Sequence, residues 1–418
     1  MTSLTEVYDL FLASSGAIID SRKTEKNTLF FALKGPNFDG NTYAIRAIEN
    51  GAYAAVVDDP EIAAKNHNCY LVEDVLTTLQ DLGHHHRTQF NIPVIGLTGS
   101  NGKTTTKELI AAVLRTKHSV LATEGNLNNH IGVPLTLLNI DATHSHALIE
   151  MGANHIGEID FLCRIAQPNH GLITNIGKAH LEGFGSMQGV LKGKTELYNY
   201  LKERNGTVFI NNDDKKLIEA SKENNTIHYY PATFTILEEQ PTLKLRHNHV
   251  EIHTHLVGHY NTSNIAAAIA VGTTFGVPTQ KSVEAICTYV PENLRSQLLI
   301  QNNKTIVLDA YNANPTSMHV AIIAFNKRKG KKALILGAMA ELGAYEEIEH
   351  KSLVAFVNEL NINACYWVGE AFKNHVTKNW FATSSELESH FKKHPLETES
   401  VLIKGSRSIG LEKIIPSL

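Results

Sequence analysis

The stretch NIPVIGLTGSNGKTTTKELI, residues 91–110, decides how this chain is read. An apolar run, VIGL, enters as a buried strand. Glycines follow and permit a tight turn. Leu109, Ile110, Val113 and Leu114 then recur at helical spacing. A strand, a glycine turn and a helix together aim backbone N–H groups and a helix N-terminus at an anion. The spacing is unusual. The common nucleotide loop has Gly, four residues, then Gly-Lys-Ser/Thr. Here only two residues separate Gly99 from Gly102, Lys103 and Thr104, and Gly96 is one residue too far upstream. Lys103 suits phosphate oxygens, and the Thr104 hydroxyl suits Mg²⁺. The bland alternative is a glycine-rich turn whose lysine is solvated. The strand before and the helix after favour nucleotide binding.

Working outward, residues 86–290 read as a central domain. ALIEMG (147–152), GLITNIG (171–177) and TVFINN (207–212) are strand candidates, with helical runs such as GVLKGKTELYNYLK (189–202) between them. That alternation predicts a mostly parallel sheet of the P-loop type with helices. Residues 227–256 read as antiparallel hairpins, and NTSNIAAAIAVGTTFG (261–276) as a tightly packed helix. Residues 1–85 form a small α/β unit, with strands at 28–33 and 53–58 and a helix at 41–52 closing at Gly51. Residues 291–418 carry a further βαβ series, in TIVLDAY, KALILGAM, ACYWVGE and SVLIKGS, which predicts a Rossmann-like α/β domain. The fold class expected is therefore α/β in three domains.

The bulk numbers exclude several classes. With 38 basic and 42 acidic residues among 418, the net charge is −4, so nothing draws the chain generally to nucleic acid. The basic run at 326–332 reads as a solvated helix end or loop. Cys69, Cys163, Cys287 and Cys365 form no paired motif, which suits a reducing cytoplasm. No apolar run approaches the ~20 residues of a membrane span, and no signal-peptide pattern opens the chain. Of 22 histidines, His84, His85 and His86 are expected to decorate the surface. Those in RHNHVEIHTHL (246–256) are expected to alternate on a strand.

Glu150 ends the strand ALIE, where parallel sheets bind ligands. His180, in ITNIGKAHLEGFGS (173–186), follows the next strand and belongs on the same rim. By spacing alone, Lys194 is an ordinary mid-helix surface lysine.

Taken in order, TGSNGKTTTKE, TEGNLNNHIGVPLTLL, EMGANHIGEI, ITNIGKAHLEGFGS, GHYNTSNIAAAIA, DAYNANPTSM and KGSR resemble the Mur ligases. DSRKTEKNTLFFALKGPNFDGN (20–41) resembles their uridine-nucleotide domain, so the likeness runs from Asp20 to Arg407. DAYNANP with EMGANHIGEI points to the branch that adds D-Ala-D-Ala to a UDP-linked muramoyl tripeptide. The short loop is then the normal form for this family. The resemblance implies that ATP phosphorylates the peptide carboxylate and that an amine attacks the acyl phosphate. By likeness, Thr98, Gly99, Ser100, Asn101, Gly102, Lys103, Thr104 and Thr105 would wrap the phosphates. Thr104 and Glu150 would hold a first Mg²⁺. His180 would hold a second, with Lys194 supporting it as a CO₂-derived carbamate. Lys103, Glu150, His180 and Lys194 would be the catalytic set.

Asn261 and Asn264, in YNTSN, would meet the adenine region, with Tyr260 where the family usually has His. Arg295 and Asp309 would reach ATP from the third domain, Arg295 in LRSQ rather than the usual GRLE. Asn126 and Asn129 would touch the muramyl peptide, and Ser21 and Arg22 the UDP moiety. ATP contacts split between two domains imply closure, and an open form would part Arg295 and Asp309 from Lys103. The implied partners are UDP-MurNAc-tripeptide and D-Ala-D-Ala, met by a cytoplasmic monomer without a membrane span. Rival readings are another amide ligase, either the diamino-acid-adding Mur enzyme or a folylpolyglutamate synthase, and a silent nucleotide-binding scaffold. The third peptide residue, diaminopimelate or lysine, stays open.

Overall fold

The computed structural model describes every residue except 231–233, 248 and 293, and Tyr229 by its backbone alone. Near the N-terminus, four parallel strands lie in the order Ala17–Ile18, Leu29–Phe31, Ala54–Val57, Cys69–Leu71. The helix expected at 41–52 opens as a 3-10 turn, Gly40–Tyr43, and continues as Ala44–Glu49. Gly51, at φ 109°, turns the chain into the next strand.

The central sheet has six parallel strands in the order Thr226–Tyr230, Thr207–Asn211, His170–Ile173, Val94–Thr98, His146–Glu150, Val120–Ala122. Val94–Thr98 and His146–Glu150 are buried along their whole length. Helices cover both faces of such a strand, which is why it reads as an unbroken apolar run rather than an alternating one. The antiparallel expectation for 227–256 holds only in part. Thr226–Tyr230 is instead the parallel edge strand of the central sheet. Thr235–Glu238, Lys244–His247 and Val250–His253 form the separate antiparallel sheet. Period-2 patterning does not distinguish a parallel from an antiparallel partner, because the partner lies elsewhere in the chain.

The third sheet runs Gln297–Gln301, Lys304–Asp309, Ser400–Lys404, Lys332–Gly337, Ala364–Val368, Trp380–Phe381. Its first strand is antiparallel and was not foreseen. The signal was Asn302-Asn303, both at positive φ (50° and 59°), in a tight hairpin turn.

Two surface expectations are corrected. His86 lies on the helix Val75–Thr88 and is 5% exposed. Its ring meets the Ile140 carbonyl at 2.8 Å and the Tyr8 hydroxyl at 3.2 Å. Burial pushes its pKa down. The helix runs through residue 85 and stitches the N-terminal unit to the central one, so one of its faces is interior. In the basic run, Arg328 is also buried and donates to the Pro241 carbonyl at 2.8 Å.

At the opposite end of the central sheet from the phosphate loop, His146 packs edge-on against Phe275 and 4.3 Å from the His118 ring, with His170 against the same Phe275. Burial, then neighbouring histidines, hold both His146 and His170 down at about 4. Their folded pKa values lie below the unfolded ones. Stability is therefore complete above about pH 6.5 and is lost as pH falls toward 4, where the unfolded chain takes protons that the native state refuses. After discounting for partial exposure, each is worth about 1–2 kcal/mol. The expected result is a melting temperature that drops across this window, with a shallower drop in His146→Phe. Identical acid limbs in calorimetry would show that the cluster does not titrate this way.

The third domain rests on the central one. Asn314 Nδ2 donates to Asn101 Oδ1 at 2.7 Å, Lys178 Nζ to Glu349 at 2.5 Å, and the Tyr345 hydroxyl to the Gly185 carbonyl at 3.1 Å. This is a closed arrangement, not the open form in which Arg295 and Asp309 stand away from Lys103.

Candidate active site

A cavity of about 720 Å³ lies between the central and third domains, lined from one side by Lys103, Thr104 and Glu150 and from the other by Arg295, Asp309 and Glu341. The loop that floors it needs its glycines. Gly99 sits at φ 142°, and a Cβ there would fall 2.0 Å from Thr174 Oγ1. Gly102, at φ 76°, begins the helix Lys103–Arg115 with no side-chain cap, so the first turn is left open to an anion. Gly99→Ala is expected to be strained in both space and backbone. It should lower the melting temperature and weaken ATP binding at least about tenfold. Unchanged ATP affinity by calorimetry would contradict this geometry.

Lys103 Nζ donates to the Gly99 carbonyl at 2.8 Å, curled over the loop. Burial depresses its pKa, and the Arg295 cation adds to this against Glu150. The Thr104 hydroxyl donates to Glu150 at 3.0 Å, and Asn128 Nδ2 donates to the same carboxylate at 2.8 Å. Ser100 exchanges hydrogen bonds with the Gly177 backbone, and Asn101 is held by Asn175 and Asn314. Thr105 lines the cavity. Thr98 does not. Its hydroxyl donates to the Met151 carbonyl at 2.7 Å, beneath the loop.

His180 and Lys194 sit on the same side. His180 occupies the left-handed region, φ 50°, and its Nδ1 lies 2.5 Å from the Glu341 carboxylate across the domain boundary. Lys194 is not the surface lysine its spacing suggested. It is fully buried, donates to the Ala153 carbonyl at 2.9 Å and lies over the Phe184 ring. Desolvation, then Lys103, hold its pKa well below the usual lysine range.

Asn261 and Asn264 are buried on the helix Asn261–Thr274. Asn264 accepts from Thr106 at 3.0 Å and donates to Asn261. Tyr260, where a histidine was usual, reaches the Ser296 hydroxyl at 2.9 Å across the domain boundary. Arg295 stacks 3.8 Å over the Tyr311 ring, and its Nε is buried without a partner among the described residues. Asp309 is held by Lys404 at 2.7 Å.

Asn126 and Asn129 both line the cavity, and Asn129 Oδ1 accepts from the Ile131 and Gly132 backbone N–H groups. Ser21 and Arg22 do not line it; Arg22 forms an exposed pair with Asp20 in the N-terminal unit. Sequence reasoning passed over Asn128, Tyr311, Asn314, Glu341 and Lys404. All five lie inside segments quoted above or in GAMAELG (337–343), but spacing alone did not separate them from their neighbours.

The donor set can be tested against Mg²⁺. Among the described residues, no group of three or more His, Cys, Asp and Glu side chains could hold a metal. A threonine hydroxyl on a single carboxylate is nonetheless what Mg²⁺ takes when substrate phosphates complete its shell. Thr104 and Glu150 fit. Lys194 as an amine is no ligand, and fits only as a carbamate.

A phosphate loop facing a third domain across one cavity defines an ATP-dependent ligase. Three family models match in succession: Mur ligase family, catalytic domain (15–87), Mur ligase middle domain (97–272) and Mur ligase, glutamate ligase domain (294–406). The UDP-N-acetylmuramoyl-tripeptide–D-alanyl-D-alanine ligase of Bacillus subtilis is 36% identical over 96% of this chain and 93% of its own. The solved structure of MurF from Acinetobacter baumannii superposes with a TM-score of 0.87 at 29% identity, covering 100% of this chain and 98% of that one. That of MurF from Thermotoga maritima in complex with ADP superposes at 0.83 and 27% identity, again over 100% and 98%. The chain belongs to the Mur ligase family.

Proposed function

We propose that this protein joins D-Ala-D-Ala to UDP-N-acetylmuramoyl-tripeptide at the expense of ATP, completing the UDP-linked pentapeptide precursor of peptidoglycan in the cytoplasm. One observation carries the reading: Lys103 and the Thr104–Glu150 pair face Arg295 and Asp309 across a single cavity, in a chain related along its whole length to ligases of this reaction. That full-length relationship also favours it over the diamino-acid-adding and folate-type alternatives. No helix among the described residues is long and apolar enough to cross a membrane.

The tripeptide carboxylate attacks the γ-phosphorus of ATP, the bond to ADP breaks, and an acyl phosphate forms. The dipeptide ammonium releases one proton to solvent, the resulting amine attacks the acyl carbon, and phosphate leaves carrying the second amine proton. Lys103 neutralises phosphate charge as it shifts toward the leaving oxygen. Asn128 and Thr104 fix the Glu150 carboxylate. Mg²⁺ held by Thr104 and Glu150, with a second ion at His180 and carbamylated Lys194, would offset the repulsion between the two reacting anions. Asn261, Asn264, Arg295 and Asp309 grip the nucleotide, and the closed domains exclude the water that would hydrolyse the acyl phosphate. Asn126 and Asn129 meet the muramyl peptide, and Ser21 and Arg22 the uridine nucleotide. The dipeptide enters from the third domain, near GAMAELG and KGSR. Incubation with ATP, Mg²⁺, D-Ala-D-Ala and UDP-tripeptides carrying either diaminopimelate or lysine, followed by mass spectrometry, tests this. A pentapeptide product from either is expected, and its absence from both would overturn the reading.

A further inference from the structure

The amine substrate of such a ligase arrives mostly as an ammonium at neutral pH. It must enter a cavity that already holds the Lys103 and Arg295 cations, so a carboxylate has to receive it. Four acidic residues line this space: Glu150, Glu158, Asp309 and Glu341. Three are committed to the protein itself. Glu150 accepts from Thr104 and Asn128. Glu158 accepts from the Asn154 and His155 backbone. Asp309 holds Lys404. Glu341 differs in that no backbone N–H, amide or lysine bonds its carboxylate among the described residues: its side-chain contact is the His180 imidazole at 2.5 Å, and His180, with Lys103 farther off, holds its pKa below the usual carboxylate range.

Glu341 is also held in place rather than loose. The backbone before it is pinned by Met339 N donating to His350 at 3.0 Å and Ala340 N donating to Ser406 at 2.9 Å. Its own carbonyl accepts from Glu182 N at 3.2 Å across the domain boundary. Both it and His180 are non-glycine residues at positive φ, 62° and 50°. Such conformations persist where the surroundings over-determine them. Its side chain remains 45% exposed, open to the cavity.

We propose that Glu341 is the receptor for the ammonium of the incoming dipeptide, which displaces the His180 imidazole as its partner. This rests on the amide-ligase reading above. It makes Glu341 a specificity residue for a free amine, and ties amine binding to closure, since the carboxylate comes from the third domain.

The test is steady-state kinetics of Glu341→Gln on the full chain, varying D-Ala-D-Ala, ATP and UDP-tripeptide in turn. Expected is a rise of about tenfold or more in the dipeptide KM, with the other two KM values within about twofold. Glu341→Asp, which keeps the charge, should fall between. Glu349→Gln is the control. It removes the same charge from the neighbouring interdomain bridge to Lys178, outside the cavity. It should leave the dipeptide KM within about threefold of wild type. An unchanged dipeptide KM in Glu341→Gln, or an equal rise in Glu349→Gln, overturns the proposal and leaves the ligase reading standing. Wild type that makes no product from D-Ala-D-Ala overturns both.

Discussion

Lys103→Ala is expected to lower ligation by on the order of 10²–10³-fold, the loss typical when one preorganised charge is removed from a developing anion. The lysine ends a loop in which Gly99 leaves no room for a Cβ, and its ammonium reaches the Gly99 carbonyl, placed to swing onto phosphate. The fold should survive. Burial depresses the Lys103 pKa, so the native state holds its proton less tightly than the unfolded chain. Native stability therefore suffers from this group below its usual pKa of about 10.4 and recovers as pH rises toward it. Alanine removes that cost, and the melting temperature at neutral pH should be unchanged or higher. Near-normal turnover in the purified, folded variant would defeat the assignment of this loop to ATP.

Lys194→Ala should be nearly inactive, down at least about 100-fold. A solvated helix lysine would tolerate alanine, but this one is fully buried beside Phe184 and donates to Ala153. Its surroundings favour the uncharged amine, which is the form that adds CO₂. The carbamate then supplies a carboxylate where an ammonium would repel a neighbouring cation. At 4 Å two unit charges interact by about 4 kcal/mol at an effective dielectric of 20, and a divalent ion doubles that. Alanine leaves a cavity that acetate can enter, so added acetate should partly restore activity. Lys194→Met fills the same space and should be equally inactive, without rescue. Full activity of Lys194→Ala would refute the carbamate. Density beyond Nζ in a crystal grown at neutral or higher pH would show it directly.

Much of this architecture was legible in the chain. VIGL before the loop and the helical spacing after it located Val94–Thr98 and Lys103–Arg115. The alternation of strand and helix located the parallel sheets, because burial on both faces leaves an unbroken apolar run. Glu150 was legible because a carboxylate closing a parallel strand has one rim to occupy. Lys194 was misread by spacing as a surface lysine; it is buried, and only the resemblance singled it out. A helix pattern records which face is apolar, not which lysine that face encloses. His86 failed for the same reason, and Thr226–Tyr230 because its alternation does not name its partner strand.

By itself, the sequence determined the anion loop, the α/β class, the three successive units and the family. These follow from local periodicity, turn chemistry and motif order, each carried within a few tens of residues. Tertiary structure alone decided what meets in the cavity. Asn101 finds Asn314, Lys178 finds Glu349, and His180 finds Glu341, pairs separated by more than 150 positions. Those contacts depend on how one folded domain closes on another, and no local pattern encodes that angle.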